Sequence, residues 1–379
     1  MQDLFTINTT LEISYIVKSS DGLFLTDNLD ISNCCVNRRT VLIIDKKIID
    51  LYGDSIKIYF DYHGIQYLTV VIDGIESCKN TDSLFMILRA MEQFGISRRD
   101  EPIIGIGGGV IQDLVGLAAT LYRRGVPYIR VPTTLLGIVD VSVAAKTGIN
   151  FEDRRNRLGS YYPPVASFLD KSFLATLGSI EISSGLGEIL KMAIIKDSHL
   201  FNILETHGTE LLEQKFNNPY ADEVISRSIQ GMKEELENNL WEKNLKRIVD
   251  FGHSFSPIIE MRSLNKKEAE MLTHGQAVTL DMIFSCVLSY SRNMISLDNL
   301  VRIIKTARSM DLPTYYDDFS NPDLLLESLQ DTMKHRNGDQ NLPIPIDIGN
   351  SVFINDLSYS EIVTVAALYV KINKDVDGQ

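Results

Sequence analysis

Residues 101–136 read EPIIGIGGGVIQDLVGLAATLYRRGVPYIRVPTTLL. The stretch opens on a short apolar run, breaks into a glycine cluster, continues with helical periodicity to Gly125, and closes on a second apolar run ending in two threonines. A strand, a glycine turn, a helix and a second strand make a βαβ unit, the building block of a parallel sheet. The pattern repeats upstream. VLIIDKK from Val41 and YLTVVIDG from Tyr67 are buried-strand runs, and DSLFMILRAMEQFG from Asp82 is a helix ending on glycine. SYIVKSS from Ser14 and GLFLTDN from Gly22 read as further short strands. Beyond Leu177 the apolar period is helical throughout, as in ISSGLGEILKMAIIK from Ile182 and HGQAVTLDMIFSCVLSYSRN from His274. The expected fold is α/β: a Rossmann-like doubly wound parallel sheet over residues 1–177, followed by an all-helical domain over residues 178–379.

Composition narrows the function. The 379 residues are 44% apolar, with 37 Lys and Arg against 50 Asp and Glu, a formal charge of −13. That composition supports a packed core, and the acidic surface disfavours nucleic acid and anionic membrane as partners. No run approaches the about 20 apolar residues of a membrane span. The opening MQDLFTINTTLE lacks a basic segment followed by an apolar one, and Cys34, Cys35, Cys78 and Cys286 fit no zinc-knuckle spacing. These features predict a cytoplasmic protein with reduced thiols.

Three groups of residues carry candidate chemistry. Gly105, Gly107, Gly108 and Gly109 sit between strand and helix, where backbone can approach a pyrophosphate and helix N–H groups await an anion. Asp113 follows in the helix, and Thr133 and Thr134 end the next strand at the same sheet edge. A tight strand-to-helix turn would have the same glycines. The polar stretch VDVSVAAKTGINFEDRRNRLGSYYPP from Val139 carries Lys146, Arg154, Arg155, Asn156 and Arg157, side chains suited to phosphate. A solvated loop would also be this polar. Finally, His253 in RIVDFGHSFSP, after a strand-like run, and His274 at a helix start are both flanked by glycine, and Glu188 lies in GLGEILK. A His₂Glu set is a known way to hold catalytic zinc with one position open. Lys191, three residues after Glu188, shares its helix face.

In order along the chain, GGGVIQDLVGLAATLYRRG, VPTTLLGIVDVSVAAKTGIN, RNRLGSYYPP, GLGEILK, VDFGHSFSP and LTHGQAV resemble the dehydroquinate synthase-like family, the sugar phosphate cyclases. The resemblance runs from about Val41 to about Gly349. It implies an N-terminal NAD-binding domain, a helical domain supplying metal ligands, and bound NAD with zinc or cobalt. It implies adenosine-side contacts from Asp45, Glu76 and Lys79, and a dinucleotide loop at Gly107, Gly108, Gly109 and Asp113 with Thr133, Thr134, Asp140 and Lys146 nearby. It implies metal ligation by Glu188, His253 and His274, and substrate contacts from Lys146, Arg124, Asn156, Lys191 and Lys233. The reaction it implies is transient oxidation by NAD, β-elimination of phosphate, re-reduction and intramolecular aldol closure, in a homodimer.

The chain departs from the dehydroquinate-forming pattern at Ala144-Ala145, Asp250, Pro257 and His335. An Asp at 250 would repel a substrate carboxylate but accept hydrogen bonds from hydroxyls. Together with NLPIP after His335, these positions resemble the branch that closes sedoheptulose 7-phosphate into a valiolone- or gadusol-type ring. The competing readings are the dehydroquinate-forming enzyme of the shikimate route, a cyclase of glucose 6-phosphate, a metal-dependent polyol dehydrogenase, and a non-catalytic NAD-binding regulator.

Overall fold

The computed structural model describes residues 5–152, 154–267 and 270–377. The N-terminal half contains β1 (Ile16–Ser19), α1 (Asp30–Cys34), β2 (Arg39–Asp45), α2 (Lys46–Tyr62), β3 (Gln66–Ile72), α3 (Thr81–Phe94), β4 (Ile103–Gly107), α4 (Gly109–Leu121), β5 (Tyr128–Pro132), β6 (Lys146–Phe151), β7 (Arg154–Tyr161) and β8 (Ala166–Leu169). Six of these strands form one sheet in the order β1-β8-β5-β4-β2-β3, and every neighbouring pair is parallel. Burial on both faces explains the unbroken apolar runs: all five residues of β4 and all five of β5 are buried. One face packs on α3 and α4 through Ile87, Met91, Leu114 and Val115, the other on α2 through Ile48, Ile56 and Phe60.

The C-terminal half contains α5 (Ser179–Ile195), α6 (Ser198–Glu213), α7 (Ala221–Leu236), α8 (Ser256–Ser263), α9 (His274–Ser291), α10 (Leu297–Ser309), α11 (Pro322–His335), β9 (Leu342–Asp347), β10 (Asn350–Ile354) and α12 (Tyr359–Asp377). α5 and α9 form its centre, nearly every residue of each being buried. They cross very closely. A Cβ on Gly187 would lie 2.6 Å from the Gly275 carbonyl oxygen, and one on Gly275 would overlap the Ser184 carbonyl. The apolar core around them does not stop at Leu177, because Leu135, Ile138, Val143, Leu169 and Leu174 of the sheet half belong to it.

Four local expectations change. GLFLTDN is a run of turns with Gly22 at φ 60, so among the described residues only Ile16–Ser19 forms a strand before residue 30. The polar stretch read as a loop contains the antiparallel hairpin β6–β7. Its strands approach closely at Gly148 and Gly159, where a Cβ on Gly159 would strike the Thr147 carbonyl. Among the described residues the helical half also carries an antiparallel hairpin, β9–β10, turning through Gly349 at φ 85. The strand-like run before His253 is a short 3-10 turn, Ile248–Asp250.

Candidate active site

The carboxyl ends of the parallel strands face the helical half across a cleft of about 510 Å³. Ligands in such sheets bind at this edge. Gly108 is the N-cap of α4 with extended backbone, and a Cβ on Gly107 would lie 2.6 Å from Ile111 and 3.1 Å from Asp45. The loop therefore keeps its backbone bare at the helix start. Gly109, Asp113 and Thr134 line the cleft; Thr133 is buried behind it, its N–H donating to the Gly107 carbonyl at 3.1 Å. Lys79, itself buried, reaches Asp113 at 2.5 Å and Asn156 Oδ1 at 2.5 Å, tying the glycine loop to the hairpin. Glu76 accepts from Asn150 at 2.8 Å and Arg155 at 3.1 Å. Asp45 caps α2 through the Lys47 N–H at 3.0 Å and lies beside the Gly74 backbone at the strand ends.

The floor is the Glu188–His253–His274 cluster, with one ligand atom from each residue lying within 4.8 Å of the others. The close α5–α9 crossing lets Glu188, mid-helix, meet His274, the first residue of α9. There the N-cap Thr273 and Gln276 form a reciprocal capping box. His253 follows the left-handed Gly252. Each imidazole is held from behind: His274 Nδ1 lies 3.1 Å from Glu260 and 3.0 Å from Arg155, and His253 Nδ1 lies 3.1 Å from the Phe251 carbonyl. Both Nε2 atoms therefore face Glu188 Oε1, at 3.8 Å for His253 and 3.5 Å for His274. Backing of this kind is the usual support for a metal-binding histidine.

The electrostatics suit a cation. Burial alone would raise the Glu188 carboxyl, but Lys191 at 2.5 Å and the two histidines hold it down at about 2. Burial, and then Lys191, push His253 down to about 3, leaving its imidazole neutral and able to ligate. Lys191 Nζ lies 2.5 Å from Glu188 Oε2, and Glu188 Oε1 is buried with no hydrogen-bond partner. A carboxylate so placed lacks the acceptor satisfaction a purely structural one would have, and a divalent ion supplies it. Asp140 is carried toward this cluster by a π-turn, Gly137–Val141; burial and then Glu188 push its carboxyl up.

One wall is a ladder of alternating charge. Lys146 pairs with Glu242 at 2.6 Å, Glu242 with Arg247, Arg247 with Asp250 at 2.5 Å, and Asp250 with Arg336 at 3.4 Å. Lys146, Asn156, Lys191 and Asp250 all line the cleft. Three of the substrate-side candidates do not. Lys233 is exposed on α7 outside the cleft lining and pairs with Glu237 at 2.8 Å; the α7 positions lining the cleft are Met232 and Leu236. Arg124 is exposed in the turn after α4, where it and Arg123 both have left-handed backbone. His335 is the exposed last residue of α11, 3.4 Å from Arg157 of the hairpin. Sequence reasoning missed Glu260, Glu242, Arg247, Arg336 and Asp281. Asp281 is wholly buried in α9, and its Oδ2 accepts the N–H groups of Ser254, Phe255 and Ser256 at 2.9, 2.6 and 2.8 Å. It thereby grips the loop directly after His253. Nothing local in the sequence marks it.

A glycine-edged nucleotide cleft set against a His₂Glu triad defines a class of enzyme that handles a dinucleotide and a metal together. The family models of 3-dehydroquinate synthase match here, the N-terminal one over residues 69–184 and the C-terminal one over residues 185–335, and the chain belongs to that family of enzymes. Among its relatives are 2-epi-5-epi-valiolone synthases of Streptomyces albus, 43% identical over 94% of this chain and 88% of the relative, and of Actinoplanes sp., 41% identical over 99% and 95%. A solved structure of the 2-epi-5-epi-valiolone synthase ValA from Streptomyces hygroscopicus, with NAD+ and Zn2+ bound, superposes with a TM-score of 0.92 at 41% identity, covering 97% of this chain and 99% of that one.

Proposed function

We propose that the chain is a 2-epi-5-epi-valiolone synthase, a phosphate-eliminating lyase that cyclises sedoheptulose 7-phosphate with NAD and zinc (or cobalt) as cofactors. The observation that carries the reading is Asp250 in the cleft wall, a carboxylate where a carboxylate-bearing substrate would be repelled and a polyhydroxylated one received. Arg247, which also lines the cleft, and Arg336 pair with its two oxygens at 2.5 and 3.4 Å. Lone pairs remain to accept sugar hydroxyls.

A bound divalent ion would acidify a ligated alcohol and a bound nicotinamide would take up and return a hydride. The chain's own residues do the rest. Glu188, His253 and His274 present ligand atoms from three elements fixed by buried contacts. Lys191, paired with Glu188, places an ammonium beside the alcohol and favours its deprotonated form. Lys79 holds Asp113 and Asn156 so that the glycine loop and hairpin close on one ligand. Lys146 and Asn156 line the cleft as donors for the phosphate and its neighbouring hydroxyl. Aldol closure then needs little beyond holding the two ends of the open chain together, since proximity alone removes much of such a barrier. The working form is proposed to be a cytoplasmic homodimer.

Phosphate release by metal-loaded protein with NAD tests the reading. The substrates are sedoheptulose 7-phosphate, the open-chain precursor of dehydroquinate and glucose 6-phosphate, with NMR of each product. Turnover of sedoheptulose 7-phosphate to the valiolone skeleton is expected, with no net NADH. Turnover of the dehydroquinate precursor alone would overturn it and make the chain a shikimate-route enzyme. A gadusol-type product would keep the substrate and change the named activity.

A further inference from the structure

The loop between β5 and β6 is held by side chains. Backbone carbonyls mostly find backbone partners in a helix or a sheet ladder. Here the Ser142 carbonyl accepts from Ser167 Oγ at 2.8 Å, and the Val143 carbonyl from the Tyr15 hydroxyl. The Ala145 carbonyl receives the Tyr162 N–H at 2.8 Å. Arg130 takes the other three. Its Nη1 donates to the Val141 carbonyl at 2.5 Å and to the Ala144 carbonyl, and its Nη2 to the Lys146 carbonyl at 3.3 Å.

Arg130 lies in β5 and is wholly buried. Its partners among the described residues are those carbonyls and the Tyr128 ring, 5.4 Å from the guanidinium carbon; none is a carboxylate. A cation buried in this way is far more costly than an apolar side chain filling the same space. What the guanidinium supplies is a planar fork of donors fixed in direction, able to span carbonyls that the point charge of a lysine would not. The same loop forms a wall of the cleft. Asp140, Val141, Ala144 and Lys146 all line it, and the π-turn Gly137–Val141 carries Asp140.

We propose that Arg130 is a positioning residue of this site: its buried fork fixes the course of residues 141–146, and thereby the places of Asp140 and Lys146 in the cleft. Arg130 itself touches no ligand. It acts through the backbone, gathering the carbonyl next to Asp140 and the carbonyl of Lys146 onto one guanidinium. A displacement of about 1 Å in groups that hold a substrate can cost about 100-fold in rate, so the fork acts on turnover as well as on stability. The inference rests on the cleft being the substrate site, and it holds for whichever sugar phosphate is turned over.

The experiment compares the parent, Arg130→Met, Arg130→Lys and Thr40→Val as full chains loaded with metal and NAD. Thr40 is also wholly buried, but its hydroxyl donates to the Pro102 carbonyl at 2.8 Å at the amino end of β2, away from the cleft. Chemical unfolding measures stability. Phosphate release at saturating NAD gives kcat and KM for the sugar phosphate, and amide hydrogen exchange locates loosened backbone. Arg130→Met is expected to lose stability and about 10- to 100-fold in kcat per folded molecule. Thr40→Val should lose stability alone. Arg130→Lys should recover part of kcat, with faster exchange confined to residues 137–147. A folded Arg130→Met with the parent's kcat and KM overturns the proposal, and so does a Thr40→Val that loses turnover in step with stability. Where Arg130→Met does not fold, Arg130→Lys decides: exchange equal to the parent's, or raised across the whole sheet, overturns the proposal. A parent that releases phosphate from none of the sugar phosphates overturns the functional reading above, and the exchange pattern then still decides this one.

Discussion

Asp281 should matter to metal binding although its carboxylate lies behind the loop that carries a ligand. One oxygen accepts three consecutive backbone N–H groups, and the side chain is wholly buried, so water cannot replace it. In Asp281→Ala all three donors lose their acceptor. At roughly 1–2 kcal/mol for each buried donor left unsatisfied, the expected loss of stability is about 3–6 kcal/mol. The loss is localised: the freed segment begins at Ser254, beside His253, so the Nε2 that faces Glu188 is no longer held on target. Asp281→Asn keeps an oxygen in the same place and gives up only the charge, so it should stay within about 1 kcal/mol of the parent. The assay is chemical unfolding of the metal-free protein, paired with metal stoichiometry after a timed chelator challenge. The ordering expected is parent and Asn close together, Ala far less stable and quicker to lose metal. An Ala variant as stable as the Asn one, or one that retains metal like the parent, would refute the reasoning.

The same residue sets a pH prediction for the metal-free protein. Burial raises Asp281 to about 6 against an ordinary 3.8, so between those values the folded state holds a proton the unfolded chain lacks, and stability falls as pH rises. His253 sits at about 3 against an ordinary 6.5, so over that range the unfolded chain holds the extra proton, and stability rises with pH. The two slopes oppose each other from about pH 4 to 6, and Asp281→Asn should expose the histidine's slope, up to about 1.4 kcal/mol per pH unit; an unchanged profile in that variant would count against both assignments. Glu188 and Glu260, each held near 2, add stability that is lost as pH falls below about 4.5, so acid unfolding should move to higher pH when Arg155, the leading neighbour holding Glu260 down, becomes Met. His274→Ala should abolish metal retention and turnover while far-UV circular dichroism stays near that of the parent; full activity would sink the ligand assignment. Gly275→Ala forces α5 from α9, since the new Cβ would overlap the Ser184 carbonyl, and should cost metal binding together with several kcal/mol of stability.

What could be read from the sequence was what the chain encodes locally. Strand runs such as VLIID, the glycine cluster before α4 and the helix start at His274 declare themselves within a few residues. Glu188, His253 and His274 were nominated by glycine-flanked contexts and by resemblance, and the fold brings them together. Lys233 shows the limit of this reading. Position along α7 decides which side chain enters the cleft, and the helix turns Met232 and Leu236 inward instead. GLFLTDN failed for a related reason: apolar residues at strand spacing were taken up by turns through Gly22.

The unread part of the site consists of contacts between distant segments. Arg155 and His274 are 119 positions apart, Arg155 and Glu260 are 105 apart, and Asp281 and Ser254 are 27 apart. Each of these side chains looks like an ordinary charged residue until the fold buries it. Their arrangement has a consequence for how the two halves work together. Glu76 lines the cleft, and Arg155 touches both it and Glu260, which backs His274. The hairpin that carries Arg155 therefore joins the wall of the cleft to the Glu188–His253–His274 cluster through one guanidinium. The two sides of the cleft are thus joined through buried ion pairs, where removal of one partner is costly, rather than through solvent, where it would be screened.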